Sequence, residues 1–347
     1  MTVTTISPTS YSLPKAIAGP MPSGPILITG CPRSGTTFVG SVFEASRDVF
    51  EVYEPFNADF TYHLNLPARF MHIDDTQGKA LKPQFDRMLK LSSLPRRLTM
   101  LPRGAIDRMR TQRDMAGSLS LKKLVQNPKT FFSGSRLTIK DPIAFFSAEW
   151  IARTYDAPVI IMARHPAGVI SSYLTLGWPP ETPYIVDHHL PLSQGVLDAD
   201  IAKYRKNPDD HLGGLILQWK LFTHYTMDLM QLHPDWKFFL HKHVCNSPME
   251  AFTEMYAYAG LDMSERVRNF IGTNTRGNLV DPKSDHAQHM LTRNSASLPQ
   301  AWKQRLDDDS ARRILRETGE LFEDLESRIA KGKRITWLSL SPQIAAE

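Results

Sequence analysis

Eight residues, Gly30-Cys31-Pro32-Arg33-Ser34-Gly35-Thr36-Thr37, set two glycines at the spacing of a phosphate-binding loop. The loop joins a short apolar run, 25–30, to a helical pattern in which Phe38, Val42 and Phe43 recur. Backbone N–H groups at such a strand-to-helix turn, with the positive end of the helix behind them, favour an anion. After the second glycine stands Thr36, where a nucleoside triphosphatase carries the lysine that reaches the β- and γ-phosphates. Arg33 is the one cation of the loop. A later apolar run ends in Arg164, where such an enzyme would present an aspartate to Mg2+. The pattern therefore offers a phosphate-like anion a guanidinium, backbone donors and the hydroxyls of Ser34, Thr36 and Thr37. It supplies a metal–triphosphate poorly, and a plain tight turn would not call for so many donors.

Holding this loop requires a sheet. Apolar runs at 25–30, 49–53, 137–140, 158–163 and 236–240 read as strands, and helical patterns follow at 37–45, 145–155, 168–174, 213–232, 248–258 and 309–330. Strands alternating with helices predict an α/β fold with a doubly wound, mostly parallel sheet. Residues 60–130 interrupt the rhythm, with Pro67, Pro83, Pro95 and Pro102 between short basic helical patches, and read as an insert over the sheet edge. Between Lys79 and Arg113 ten Lys or Arg face Asp86 and Asp107, a local excess larger than the +5 of the whole chain. The expected organisation is an arm at 1–24, one domain over 25–330 containing the insert, and a tail at 331–347.

In combination these motifs resemble those of the sulfotransferases that use 3'-phosphoadenosine-5'-phosphosulfate (PAPS). Pro32-Arg33-Ser34-Gly35-Thr36-Thr37 is similar to their 5'-phosphosulfate loop. Ala163-Arg164-His165-Pro166, through Ser171-Ser172-Tyr173, is similar to their 3'-phosphate motif, with Arg164 and Ser172 eight residues apart. Residues 48–56 resemble the segment after the loop in carbohydrate sulfotransferases, and Lys140-Asp141-Pro142 resembles a strand end in tyrosylprotein and bacterial members. The resemblance implies PAPS as donor, no metal, and an acceptor hydroxyl, with a sugar or glycolipid favoured over tyrosine. A 3'-phosphate some distance from the sulfuryl end needs its own guanidinium and hydroxyl, which Arg164 and Ser172 supply.

Sulfuryl transfer needs donors for charge building on the leaving phosphate and a base for the acceptor proton. Arg33 and Lys140 are candidates for the first. Glu54, 21 residues after Arg33 and just past the strand at 49–53, is the candidate base on the loop's edge of the sheet, the role that the resemblance to tyrosylprotein sulfotransferases implies. A Glu capping the turn before Pro55 is the plainer alternative. His63 and His188-His189 are rivals with no motif behind them, and the paired histidines lack a third metal ligand at usable spacing. Arg293, Ser295, Ser297 and Trp302 resemble the Ser-rich stretch and Trp that close over the nucleotide, and Arg276-Gly277 resembles an Arg-Lys-Gly element without its Lys. The chain departs from the family at His241-Lys242-His243-Val244, where Tyr-Glu-Asp-Leu is common.

Composition bounds the other classes. With 41% hydrophobic residues the chain is not disordered, and two cysteines far apart make no disulfide framework. No signal-peptide-like run and no apolar stretch of bilayer length occurs, so a soluble cytoplasmic protein is expected. A P-loop kinase would want the lysine and the acidic Mg2+ ligand that are missing. A nucleic-acid or membrane-binding module would rest on 79–113, where Phe85 is the one aromatic and stacking has little support. A lid that attracts an acidic acceptor is the functional reading of that stretch, beside a merely solvated basic face.

Overall fold

The computed structural model describes residues 23–57, 64, 66, 68–89, 136–188, 195–276 and 295–339. Its centre is a five-stranded, all-parallel sheet of β1 (Ile26–Gly30), β2 (Val49–Tyr53), β3 (Arg136–Lys140), β4 (Val159–Ala163) and β5 (Lys237–Leu240), in the order β2-β3-β1-β4-β5. The helices are α1 (Thr36–Glu44), α2 (Asp75–Leu89), α3 (Ala148–Tyr155), α4 (Pro166–Leu176), α5 (Thr182–His188), α6 (Asp198–Lys206), α7 (His211–Leu232), α8 (His241–Asn246), α9 (Pro248–Tyr258), α10 (Glu265–Thr275) and α11 (Asp308–Ser339). Phe145–Ser147 and Ser295–Gln304 are 3-10 segments.

The central strands are apolar throughout because both faces of the sheet are covered. Successive side chains of a strand point to opposite faces. Thus Ile26 and Ile28 of β1, with Ile160 and Met162 of β4, pack against Val42 and Phe43 of α1, Phe252 and Met255 of α9, and Ile271 of α10. Leu27, Val159 and Ile161 join the opposite cluster, which contains Ile151 of α3, Ile170 of α4, Trp219 and Phe222 of α7, and Leu325 of α11. The chain leaves β1 towards β2 on one side and leaves β4 towards β5 on the other. The carboxyl ends of β1 and β4 therefore frame the crevice where doubly wound folds bind ligands.

Several expectations need adjusting. The strand at 49–53, read as carrying Glu54 on the loop's edge of the sheet, pairs with β3 and not with β1, from Val49 opposite Arg136 to Tyr53 opposite Lys140, which brings Glu54 next to Lys140. Pro83 lies inside α2 and does not separate two patches; α2 buries Leu81, Phe85 and Met88 against the core. The C-terminal helix continues past 330 to Ser339. Gly24, placed in the arm, is held by its N–H to Asp156 O at 3.0 Å. Lys90 and the rest of the basic stretch to Arg113 lie outside the described residues. No helix among the described residues is long and apolar enough to cross a membrane.

Gly30 shows how tightly β1 and β4 meet. Its φ is +139°, and a Cβ there would lie 2.1 Å from the Met162 carbonyl oxygen. Left-handed strain of about 1–2 kcal/mol and a backbone clash should then act together in Gly30→Ala, lowering stability by about 2–4 kcal/mol in urea unfolding.

Candidate active site

The loop after β1 is built from two left-handed residues. Arg33 has φ +69° and Gly35 φ +99°, and Gly35 is the N-cap of α1. A Cβ on Gly35 would meet the His241 ring at 2.9 Å, so glycine is needed for space as well as for conformation. Phe38 and Val39 N–H donate to Gly35 O, which leaves the N–H groups of Thr36 and Thr37 without an acceptor inside the helix. Ser34 is fully buried, and among the described residues its Oγ has no hydrogen-bond partner.

Arg164, at the end of β4, donates from Nη1 to the carbonyl oxygen of Arg33 at 2.8 Å. This bond holds the carbonyl of the left-handed residue. The Arg33 side chain turns towards α4, where Nε donates to Ser172 Oγ at 2.9 Å and the Trp178 ring lies 5.3 Å over the guanidinium. The two anion motifs, expected some distance apart, are thus joined by direct hydrogen bonds. Burial pulls the Arg33 pKa down, opposed by Tyr173, Tyr53 and Glu54.

On the other side of β1, the ends of β2 and β3 are clamped together. Glu54 N–H donates to Lys140 O at 2.8 Å, and Phe56 N–H donates to Asp141 Oδ2 at 2.6 Å. Asp141 Oδ1 accepts from Ile143 N–H at 2.8 Å, so this carboxyl fixes both exits at once. Burial and nearby Glu54 push Asp141 up to about 7, against the pull of the bonds from Phe56 and Ile143. Glu54 itself has φ +45°. Its Oε1 accepts from Lys140 Nζ at 2.6 Å and its Oε2 from Asn57 Nδ2 at 3.1 Å, which orients the whole carboxylate. Lys140 is completely buried, with Nζ 3.2 Å from the centre of the Tyr53 ring. Burial lowers the Lys140 pKa, but Glu54, Tyr53 and Glu51 outweigh it and hold the ammonium above its ordinary value.

These groups border one cavity of about 470 Å³, lined by Arg33, Thr36, Glu54, Arg164, Ser172 and Arg305 among others. A family model described as the sulfotransferase family matches residues 25–209, more than half of the chain. The chain belongs to the sulfotransferase family. Similar solved structures include the sulfotransferase domain from the Synechococcus PCC 7002 olefin synthase, at 15% identity, 91% of this chain, 98% of that one and TM-score 0.44. Sulfotransferase STF9 from Mycobacterium avium matches at 13% identity, 87% of this chain, 77% of that one and TM-score 0.41. The sulfotransferase domain from the curacin biosynthetic pathway matches at 14% identity, 86% of this chain, 98% of that one and TM-score 0.44. No curated protein matches.

In this sulfotransferase the cavity wall includes Pro32, Arg33, Gly35, Thr36 and Thr37 of the loop, with Glu54, Arg164, Ser172 and Ser295. Ser34 and Lys140 lie beneath the wall and do not line it. Ser295 spends its hydroxyl on Cys245 O at 2.7 Å. Trp302 stacks on His165, ring centres 5.5 Å apart, and is not part of the wall. Arg293, His63 and His189 lie outside the described residues. Among the described residues no three His, Cys, Asp or Glu side chains gather as metal ligands.

The sequence reading missed Arg305, Asn274 and the Arg69–Glu181 pair, all on the wall. Among the described residues Arg305 Nε is buried without a partner, the state of a donor that a ligand would satisfy. Its offset from Trp302 was visible in the sequence, but nothing there showed that Trp302 would turn inward and Arg305 towards the loop. Arg69 and Glu181 are 112 residues apart, and no spacing rule could have joined them.

His165, next to Arg164, gives the site a pH signature. Burial first, then Arg164 and Lys242, lower its pKa to about 4. The unfolded chain, near 6.5, therefore takes up a proton first as pH falls. Stability present above pH 6.5 should be lost between there and pH 4, by up to about 3 kcal/mol. His165→Phe, which keeps a ring on Trp302, should remove that part of the slope in chemical unfolding measured across this range.

Proposed function

We propose that this sulfotransferase moves the sulfuryl group of PAPS to an acceptor hydroxyl, with Glu54 as general base. The observation that carries this reading is the orientation of Glu54 on the wall of the same cavity that presents Arg33, Arg164 and the N-terminus of α1. The fit to PAPS is supported by three guanidinium groups, of which Arg305 has a buried Nε with no partner, and by the Ser172 hydroxyl. The donor supplies an activated sulfuryl group; the chain binds it, aligns it and removes a proton. The acceptor oxygen forms a bond to sulfur while the bond from sulfur to the 5'-phosphate oxygen breaks, and the acceptor proton passes to Glu54. The products are a sulfate ester and 3'-phosphoadenosine-5'-phosphate (PAP).

Arg33 is the group for charge on the leaving phosphate. To reach it, the guanidinium leaves Ser172 Oγ, which frees that hydroxyl for the 3'-phosphate beside Arg164. Lys140 is assigned a different role from the one the sequence suggested. Fully buried and bonded to Glu54 Oε1, it positions the base from behind. A sugar or glycolipid acceptor is in keeping with the resemblance of residues 48–56.

Glu54→Gln keeps the shape and the bond from Lys140 but cannot take the proton, so turnover should fall by about 10²–10⁴ with PAP affinity nearly unchanged. A near wild-type rate would leave Glu54 as a turn residue. On the donor side, Arg33→Ala and Arg164→Ala should each weaken PAP binding in calorimetry, by roughly 1.5–3 kcal/mol for a lost charge-assisted contact. Wild-type affinity in both variants would exclude the two-anion site.

A further inference from the structure

The cavity wall divides by strand. Arg164 and Ser172 follow β4, and His241 and Cys245 follow β5, whereas Glu54 and Asn57 follow β2 and Pro142 and Ile143 follow β3. An acceptor that meets Glu54 therefore lies on the β2–β3 side. Arg69 belongs to that side. The residues after it are tied to the turn beyond β3, through Ser147 Oγ donating to Met71 O at 2.6 Å and His72 Nδ1 at 3.0 Å from Phe146 O.

Arg69 Nη2 donates to Glu181 Oε1 at 3.0 Å, and both side chains line the cavity. Among the described residues the bond uses only part of either group. Arg69 Nε is buried with no partner, and Glu181 Oε2 takes no part in the bond. The pairing selects the kind of ligand. An anion would meet the Glu181 carboxylate and a cation the Arg69 guanidinium, while a hydroxyl both accepts and donates. Two neighbouring hydroxyls satisfy both, one accepting from the guanidinium and the other donating to the carboxylate. Glu181, which follows α4, meets Arg69 from the β4 side, and the charge pair of the β2–β3 side, Glu54 with Lys140, is likewise balanced. Trp178, three residues before Glu181 and 44% exposed, adds an aromatic face of the kind that packs on the C–H face of a saturated ring.

We propose that Arg69 and Glu181 bind a neutral vicinal diol of the acceptor beside the hydroxyl that is sulfated, so that the acceptor unit is an uncharged polyhydroxylated ring. This rests on the sulfuryl-transfer reading, and it argues against an acidic acceptor drawn in by the basic stretch. The test is PAPS turnover by the full chain with three probes: octyl β-glucopyranoside, octyl β-glucuronide and 4-nitrophenol. The neutral glycoside should be sulfated with a kcat/KM at least roughly tenfold above the other two, and Arg69→Gln and Glu181→Gln should each raise its KM by about tenfold while leaving kcat and PAP affinity near wild type. Preference for the acid or the phenol, no transfer to the glycoside by a protein that binds PAP, or variants that slow all acceptors equally would overturn the assignment. A wild-type protein that fails to bind PAP would instead overturn the transfer reading, and this assignment with it. The acceptor ranking uses the wild-type chain alone, so it holds even where a variant fails to fold.

Discussion

The buried pair of Lys140 and Glu54 is the interaction on which the site depends. An ammonium with no access to water is tolerable only with a close partner, and removing one member of such a pair leaves an uncompensated charge. Lys140 finds Glu54 Oε1 at 2.6 Å and the face of Tyr53. That requirement fixes β2 against β3, because the partner sits on the first residue after β2 and the lysine on the last residue of β3. It also accounts for the left-handed backbone of Glu54, which turns the chain over Lys140 O, and for Asp141, which ties down the following residues through Phe56 N–H. Gly40 of α1 belongs to the same arrangement: a Cβ there would collide with Glu51 Oε1 and the Lys140 stem. The helix that carries the anion loop thus rests on the charge pair that holds the proposed base.

The proposed donor side is built on a different logic, since Arg33 and Arg164 donate to a hydroxyl and a carbonyl oxygen that a phosphate could replace. Arg33 rests on Ser172, Arg164 on the Arg33 carbonyl, and among the described residues Arg305 Nε has no partner. Charge-assisted bonds to an anion are stronger than those bonds to neutral oxygens, so a nucleotide with two anionic groups has a driving force to reorganise them. Where Glu54 and Glu181 are matched by Lys140 and Arg69, an anion finds no such gain.

Much of this was legible in the sequence because it is local. The strands at β1 and β4 announced themselves as unbroken apolar runs, and the loop glycines, Arg33, Arg164 and Ser172 stand at fixed offsets from strand ends. Glu54 was placed at the correct end of its strand. Which strand that was next to could not be read, since sheet order is a long-range property and β3 comes more than eighty residues after β2. The surroundings of Lys140 are long-range for a related reason: its type suggested a phosphate contact, whereas Tyr53, Glu54 and Glu51 gather around it and it is not among the residues lining the cavity. Arg305, and Arg69 with Glu181, depend on turns and helix packing that no residue spacing encodes.

The central claim, that Lys140 acts through Glu54 and not on the donor, is tested most directly by a double-mutant cycle on turnover. Rates would be measured for Lys140→Met, Glu54→Gln and the double variant, with PAP affinity as a control for the donor site. If Lys140 only positions the base, Lys140→Met should cost little further rate once Glu54→Gln is present, and the two losses should be strongly non-additive. Losses that multiply, with PAP binding weakened by Lys140→Met, would show that the lysine meets the leaving phosphate and would contradict the account.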